Sequence, residues 1–570
     1  MTKPLWDVRK ITNFKDMLNQ SVELYGDKDA YRIKNSDGEY YGITYKEHKA
    51  DVDALGTSLI AMGLKNESIA VIGENRYEWC TTYLAVTSGV GIIVPLDKEL
   101  PVDELKNLIK RSNIKAIVFS GKFNSIMQEI KNENNTNLKY FIDMDLDNEE
   151  NDILSLKKLI ANGKKLINGG DKKYLNAKIN PEKMSILLFT SGTTDLAKGV
   201  MISTKNIVTN IMAITSVIPI SEKDRVLSIL PLHHTYECTA DFLTVLYNGA
   251  TMHFNEGLKY IAKNLQEVKP TFVLVVPLIL ESIHKKIWTT INKENKTGKV
   301  KTALKLTGFM NNCFKIDLTK KIFKDIHKFL GGSIRFLIVG GAAPDNDVIK
   351  DLREFGITVR QGYGLTETSP IIAVNQLKRY KDAAAGLPLP GLEVKIHEPD
   401  EEGIGEIKVK GDSVMLGYYH NEDATNSVLK KGWLYTGDLG YMDKDGFLHI
   451  TGRQKNVIVT RNGKNIFPEE VEAYLNKSDY IKECIVYGKE HKDDTMVCAL
   501  IHPDFDLVNK ALGKDNASDE DVYSFIKTEV KKINKDMPLY KKVKTIEIRK
   551  EEFIKTTTKK IKRNANINNK

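Results

Sequence analysis

Cysteine is scarce in this chain: five in 570 residues, at positions 80, 238, 313, 484 and 498. None forms a C-x-x-C pair, which excludes a disulfide framework and the usual zinc spacings and points to reduced thiols. The most apolar long stretch, Thr81 to Leu96, is broken by glycines and a proline and flanked by Glu78 and Asp97, so it is too short and too interrupted to cross a bilayer. The first residues, MTKPLWDVRK, hold no apolar signal region, and a cytoplasmic protein is expected. Repeats are absent, and the Asn-rich last residues are the one biased tract.

The length points to two or more domains. A hydrophobic share of 41% and a charged share of 28% fit a soluble globular protein. The net charge of +9 is uneven. Residues 531–570 carry 14 Lys/Arg against 4 Asp/Glu, which leaves the rest of the chain at −1. Such a tail keeps a domain soluble or meets a polyanion. With no aromatic interleaving and no recognition-helix signature, nucleic acid is not expected as a partner. Ligand phosphates or an anionic membrane face suit the charge better, the latter as a weak, salt-sensitive contact.

Apolar runs and amphipathic stretches alternate early in the chain. Strands are expected at Ser68–Ile72, Gly91–Pro95 and Ala116–Ser120, with helices at Arg76–Ser88 and Val102–Ser112 between them. This βαβαβ order predicts a parallel sheet covered by helices. A strand at Phe272–Val276, a helix at Leu278–Trp288 and a strand at Ile334–Val339 continue the style, and the lysine-rich 291–330 stretch reads as helical. From Gly386 the texture changes. Leu392, Val394 and Ile396, and later Ile407 and Val409, alternate with charged residues as in a half-exposed antiparallel sheet. The expected α/β fold therefore has a large N-terminal domain, 1–453. It comprises two α/β subdomains (about 1–180 and 181–380) and a small β-barrel-like one (381–453). A small mobile α+β domain follows at 454–570.

The most informative segment is Phe189–Val200, FTSGTTDLAKGV. The buried-strand signal Ile186–Phe189 runs into Thr190, Ser191, Gly192, Thr193 and Thr194. Four hydroxyls and a glycine cannot pack a core, but hydroxyls and backbone N–H groups can surround an anion. Lys198 adds a point charge, and Gly199 would permit a tight turn. A surface turn could share this composition; the preceding strand and the closing Lys-Gly argue for an anion loop. It is not a Walker A loop, which needs Gly, four residues, then Gly-Lys-Ser/Thr.

Four further segments carry chemistry. In Gln361–Thr368, QGYGLTET, glycines around Tyr363 would let backbone approach a flat ligand; Thr366 can donate to phosphate and Glu367 offers a hard oxygen for Mg²⁺. Tyr435-Thr436-Gly437-Asp438 places an acid beside a glycine, suited to accept from two hydroxyls. Pro231–Glu237, PLHHTYE, has adjacent histidines in an apolar setting. Metal binding is not the expected reading, because neighbouring residues do not easily ligate one ion together and the sequence shows no third ligand. Lys555–Arg563, KTTTKKIKR, is either a solvated basic tail or an anion-binding loop.

Taken in this order, the motifs resemble those of the AMP-forming acyl-adenylate superfamily, over nearly the whole chain. Within it, Asn456–Glu472 and LILESIHKKI look most like bacterial long-chain fatty acyl-CoA synthetases. The resemblance implies a fatty acid–CoA ligase using ATP and Mg²⁺ with CoA as co-substrate. It puts Thr190, Ser191, Gly192, Thr193, Thr194 and Lys198 on the phosphates. It puts Gly341, Ala342, Tyr363, Gly364, Asp438 and Arg453 at the nucleotide, the last two at the ribose. Thr366 and Glu367 then serve phosphate and Mg²⁺, His234 lines the carboxylate pocket, and Lys455 is the hinge. Gly463, Lys464 and Asn465 face the active site in the CoA step. Fitting Lys-Ile-x-Arg makes Lys560 the catalytic lysine, with Lys559 next in register. Asp195, Ala197, Ile554 and Lys559 depart from the family pattern, standing where glycine, proline, proline and glycine are common. A loader of another acid or of a carrier protein, or a non-catalytic acyl-adenylate binder, are the alternatives.

Overall fold

The computed structural model describes residues 2–190, 197–314, 318–459, 465–491, 494–556 and 561–568. These form two compact units: the first holds the chain up to residue 393 and residues 410–432, the second residues 394–409 and those from 433 onward.

The first unit is built on two sheets. In the eight-stranded sheet, Ser68–Ile72 lies parallel to Ile92–Pro95 on one side and Ala116–Phe119 on the other. Helices Tyr77–Ala85 and Val102–Arg111 make the connections. Leu105, Leu108 and Ile109 of the second helix join one buried cluster with Ile72, Val94, Ile117 and Phe119. Strands covered on both faces read as unbroken apolar runs, which is why this part was legible. The helix expected through Ser88 stops at Ala85 and passes into one wide turn, Val86–Val90. The cause is local: the Tyr174 hydroxyl donates to the Ala85 carbonyl, and Gly89 takes a φ of 151° with Tyr174 and Ala177 in the space a side chain would need.

The same sheet then gains Met184–Thr190, parallel to Ile92–Pro95, and its antiparallel return Lys198–Ser203, edged by Gly417–Tyr418. Thr190 and Lys198 face each other across that antiparallel pair. Gly199 is not a turn residue. It lies within the returning strand, where an added Cβ would come 3.0 Å from Leu187 and 3.2 Å from Phe189 and Tyr419.

The nine-stranded sheet has parallel neighbours Thr251–Phe254, Arg225–Ser228, Phe272–Val275, Phe336–Val339 and Val359–Gly364. Ile371–Val374 runs antiparallel at one end, and the chain's first strands, Asp29–Lys34 and Tyr40–Thr44, complete the other. Helix Pro277–Lys293 starts with proline at its first turn, where no N–H is missed, and runs longer than expected. Leu280, Ile283, Ile287 and Ile291, spaced at helical period, pack into the cluster that includes Val273, Leu337 and Val359. The lysine-rich stretch is helical as expected, in the pieces Thr297–Phe314, Thr319–Ile322 and Lys324–Phe329.

In the second unit, Trp433–Met442 pairs antiparallel with Gly405–Lys410 and with Leu448–Arg453. Gly405–Lys410 alternates buried and exposed positions, as its sequence suggests. Ile481–His491, Asp494–Pro503 and Thr545–Ile548 form a separate three-stranded sheet. Helices Pro468–Leu475 and Asp519–Ile533 close its core through Val471, Leu475, Val522 and Ile526. The α/β class expected from the sequence is the one the chain adopts.

Candidate functional site

Ser191, Gly192, Thr193, Thr194 and Asp195, between these two strands in the chain, lie outside the described residues, as do Gly463, Lys464, Lys559 and Lys560. The strand ends on either side are well defined. The Thr190 hydroxyl donates to the Lys198 carbonyl at 3.4 Å, and Arg111 donates to the Ala197 carbonyl at 2.7 Å. The Lys198 ammonium sits 5.0 Å above the centre of the Tyr418 ring. The Tyr418 hydroxyl in turn donates to Glu367 Oε1 at 2.9 Å. The anion loop and the QGYGLTET motif are therefore joined through Tyr418, a residue the sequence reading passed over. Its only signal was the short Gly417-Tyr418-Tyr419 run. Burial and the neighbouring Glu367 carboxylate push the Tyr418 hydroxyl well above its usual range, so it stays a donor. With Oε1 held this way, the other Glu367 oxygen remains as a hard ligand, which fits the Mg²⁺ assignment.

The QGYG half of the motif is strand, not loop: it ends Val359–Gly364, and the backbone returns as Ile371–Val374. Gly364 is required by the chain itself, since a Cβ there would lie 2.0 Å from the Pro370 carbonyl oxygen. Thr368 holds that return by donating to Pro370 O at 2.6 Å. Tyr363 and Thr366 are half-buried at the same strand end. Gly341, with φ 88°, and Ala342 are exposed just after Phe336–Val339.

His234 directly precedes the short helix Thr235–Glu237, in extended backbone and without a side-chain bond to the helix end. The next residue but one, Tyr236, donates to the Ile338 carbonyl at 3.0 Å and packs on Gly340, where a Cβ would meet its ring at 2.9 Å. Tyr236, Ala240, Gly362, Ile338, Ile371 and Val374 line an apolar cavity closed further by Ile214, Ile218 and Leu274. Of Thr239, Ala240, Phe242 and Leu243, which follow His234 in the chain, Ala240 lines this cavity. Phe242 instead lies edge-on to Trp79 and Tyr83 in the core.

Beneath this segment is a pair of fully buried acids, Glu237 and Asp241. Ser228 donates to Glu237 Oε1 at 2.5 Å, and Asn75 donates to Ser228 Oγ and the Leu230 carbonyl at 2.8 and 2.6 Å. This network anchors the turn that carries His233 and His234. Burial raises both carboxyls far above the usual range, Asp241 to about 7. Since their folded-state pKa values exceed the unfolded ones, their contribution to stability is complete below about pH 4 and is lost as the pH rises towards 7. Asp241→Asn should therefore raise the unfolding free energy at pH 8 by on the order of 2–4 kcal/mol and leave it nearly unchanged at pH 4. Denaturant titrations at the two pH values measure this; an equal effect at both would refute it.

In the second unit Asp438 is buried and faces Arg453 across the strand pair, with Arg453 Nε 3.0 Å from Oδ1. Thr436 Oγ1 accepts from the Asp438 amide at 3.1 Å, and Gly437 turns at φ 69°. Lys455 follows in the turn Gln454–Asn456. Local desolvation, and after it the Arg453 charge, hold its ammonium down at about 8. Asn465 begins a two-residue strand paired with Ile458–Val459.

The described residues before 557 and after 560 are held in place. Lys555 pairs with Glu483 at 2.6 Å and bridges to Ile561. Asn566, fully buried, bonds both the amide and the carbonyl of Ile554 at 2.9 Å. Arg563, the arginine of Lys-Ile-x-Arg, pairs with Glu472 at 2.5 Å and donates to the Val486 carbonyl at 3.0 Å.

The chain is similar to known proteins over most of its length. A family model described as AMP-binding enzyme matches residues 18–419, and one described as AMP-binding enzyme C-terminal domain matches 455–569. Fatty acyl-CoA synthetase B of Dictyostelium discoideum is 26% identical over 555 residues, covering 91% of this chain and 81% of that protein. The chloroplastic long-chain-fatty-acid–[acyl-carrier-protein] ligase AEE15 of Arabidopsis thaliana is 26% identical over 548 residues, covering 84% and 75%. Among solved structures, the anthranilate CoA ligase AuaEII with anthranoyl-AMP superposes with a TM-score of 0.75 at 21% identity, covering 97% and 96% of the two chains. The o-succinylbenzoate CoA synthetase of Bacillus subtilis with ATP and magnesium gives 0.72 at 22%, covering 97% and 99%.

Proposed function

The chain belongs to the family of AMP-binding enzymes, and from that premise we propose that it activates a long-chain fatty acid as acyl-AMP and passes the acyl group to coenzyme A. The observation that carries this reading is the apolar lining of a small cavity beside the QGYG strand, about 20 Å³ in volume, which would have to widen to admit an acyl chain. A carboxylate near His234 and Tyr236 could extend its chain past Ala240 and Gly362 without burying an unpaired polar group.

In the first step a carboxylate oxygen attacks the α-phosphorus of ATP and pyrophosphate leaves. Such transfer needs charge neutralisation and in-line positioning more than covalent help. Lys198 and the hydroxyls from Thr190 to Thr194 would hold the departing phosphates. Glu367, steadied by Tyr418, and Thr366 would hold Mg²⁺ and phosphate, the ion screening the charge that develops on pyrophosphate. Tyr363, Gly341 and Ala342 would flank the base, and Asp438 would accept from the ribose beside Arg453. Lys560 would draw the two anions together. The thiol of CoA then attacks the acyl carbonyl and AMP departs, with Gly463, Lys464 and Asn465 near the acceptor after rotation about Lys455. The substrates of this chemistry are small molecules.

A pyrophosphate-release assay with carboxylates from acetate to oleate tests the substrate class. Each buried methylene adds up to about 0.8 kcal/mol, so acids of dodecanoate length or more should exceed acetate in kcat/KM by orders of magnitude. Ala240→Phe should fill the cavity and shift the optimum to shorter acids. A preference for acetate or an aromatic acid would overturn the long-chain assignment. The second reading, a carrier-protein acceptor, is supported by the acyl-carrier-protein ligase of Arabidopsis thaliana among the relatives. Supplying CoA and a holo-carrier protein in parallel separates the two, and pyrophosphate release at all rules out a non-catalytic binder.

A further inference from the structure

Two parallel strands of different sheets end near one another at a set of side chains that suit a metal ion. Asp97 follows Ile92–Pro95 of the first sheet, and the His233-His234 pair follows Arg225–Ser228 of the second. One ligand atom from each of Asp97, His233 and His234 lies within 4.8 Å of the other two. The sequence argument against a metal rested on adjacency and on the missing third ligand. The two imidazoles nevertheless turn to the same side, ring centres 4.1 Å apart and planes tilted by 46°, and Asp97 is the third.

The contact between Asp97 and His233 is not a hydrogen bond. Asp97 Oδ2 lies 3.4 Å from His233 Nε2, and that nitrogen is buried without a hydrogen-bond partner among the described residues. Both side chains are mostly covered, with 15% and 10% exposure. An orphaned buried ring nitrogen facing a carboxylate oxygen is costly unless something lies between them. An ion at ordinary zinc–ligand lengths from both atoms would subtend about 105–115°, close to tetrahedral. The other oxygen, Asp97 Oδ1, accepts the Glu99 amide at 2.9 Å and so fixes the carboxylate's direction, the outer support that metal ligands use. Asn75 and Ser228 fix the histidine turn from the other side.

We propose that Asp97, His233 and His234 bind a zinc-like divalent cation, with a fourth position open. Two imidazoles and one carboxylate select zinc over magnesium, which prefers all-oxygen octahedra. Because His234 is also the residue assigned to the substrate carboxylate, the bound ion should compete with the fatty acid. That inhibition, though not the binding, rests on the fatty acid-activating function proposed above.

The test is calorimetric titration of the full-length chain with Zn²⁺ in the absence of ATP, with Co²⁺ absorption as a second readout. One Zn²⁺ should bind per chain, Mg²⁺ should not displace it, and the visible bands of tetrahedral Co²⁺ should appear. Asp97→Asn and His233→Gln should each weaken binding at least ~10-fold and abolish the bands. Melting curves establish that each variant is folded, and His233→Asn replaces a variant that is not. Binding that is absent in the wild type, or unchanged in both variants, overturns the site. Binding that leaves acid-dependent pyrophosphate release untouched supports the site and overturns instead the placement of His234 at the carboxylate.

Discussion

Replacing Lys560 with alanine should abolish formation of acyl-AMP and leave thioester formation from supplied acyl-AMP intact. A lysine that bridges a carboxylate and the α-phosphate acts where two anions must meet, and losing such a contact costs roughly 2–5 kcal/mol, at least a tenfold fall in rate. The second half-reaction needs no such bridge, because the anions are already joined. The surroundings suit the role. Arg563 is locked to Glu472 and Val486, and Lys555 to Glu483, on either side of Lys560 in the chain. Parallel measurement of pyrophosphate release and of CoA acylation from synthetic acyl-AMP decides the matter. If Lys559→Ala does the damage instead, the register of Lys-Ile-x-Arg is off by one. If both half-reactions fall together, the lysine is structural.

How far the sequence disclosed this molecule depended on the range of the forces involved. Ser68–Ile72, Val102–Arg111 and Phe336–Val339 were legible because burial on both faces of a sheet, or on one face of a helix, writes its period into consecutive residues. The pairing of Asp29–Lys34 with Thr251–Phe254 was not, since no local pattern names a partner more than two hundred residues away. At the candidate site, residue types announced chemistry but not geometry. Gly199 and Gly364 read as turn or ligand-approach glycines, yet their missing side chains make room for Phe189 and for the Pro370 carbonyl. Tyr418 carried no motif, and only the fold brings its hydroxyl to Glu367 and its ring under Lys198. Asp97 likewise meets His233 through the convergence of two sheets.

The second large effect is expected at Lys455. Lys455→Pro should spare acyl-AMP formation and stop transfer to CoA. In this structure the strand before Lys455 and the helix after it are in contact: Gly452 lies where a Cβ would come 2.8 Å from Glu469 Oε2, and Asn456 donates to Glu469 at 2.6 Å. If the second step needs the segment beyond Lys455 to turn, these contacts must be exchanged by changing backbone angles at very few residues, as hinges do. Proline fixes φ near −65° and removes an N–H, so the chain keeps one arrangement and cannot reach the other. Pyrophosphate release should therefore stay within a few-fold of wild type while CoA acylation drops by orders of magnitude. Lys455→Ala distinguishes the hinge from the charge: it removes the ammonium held near 8 by its surroundings but leaves φ free, and should retain transfer. If alanine blocks transfer as fully as proline does, the side chain rather than the rotation is what the second step requires. Equal loss of both half-reactions in the proline variant would mean that the junction has merely unfolded.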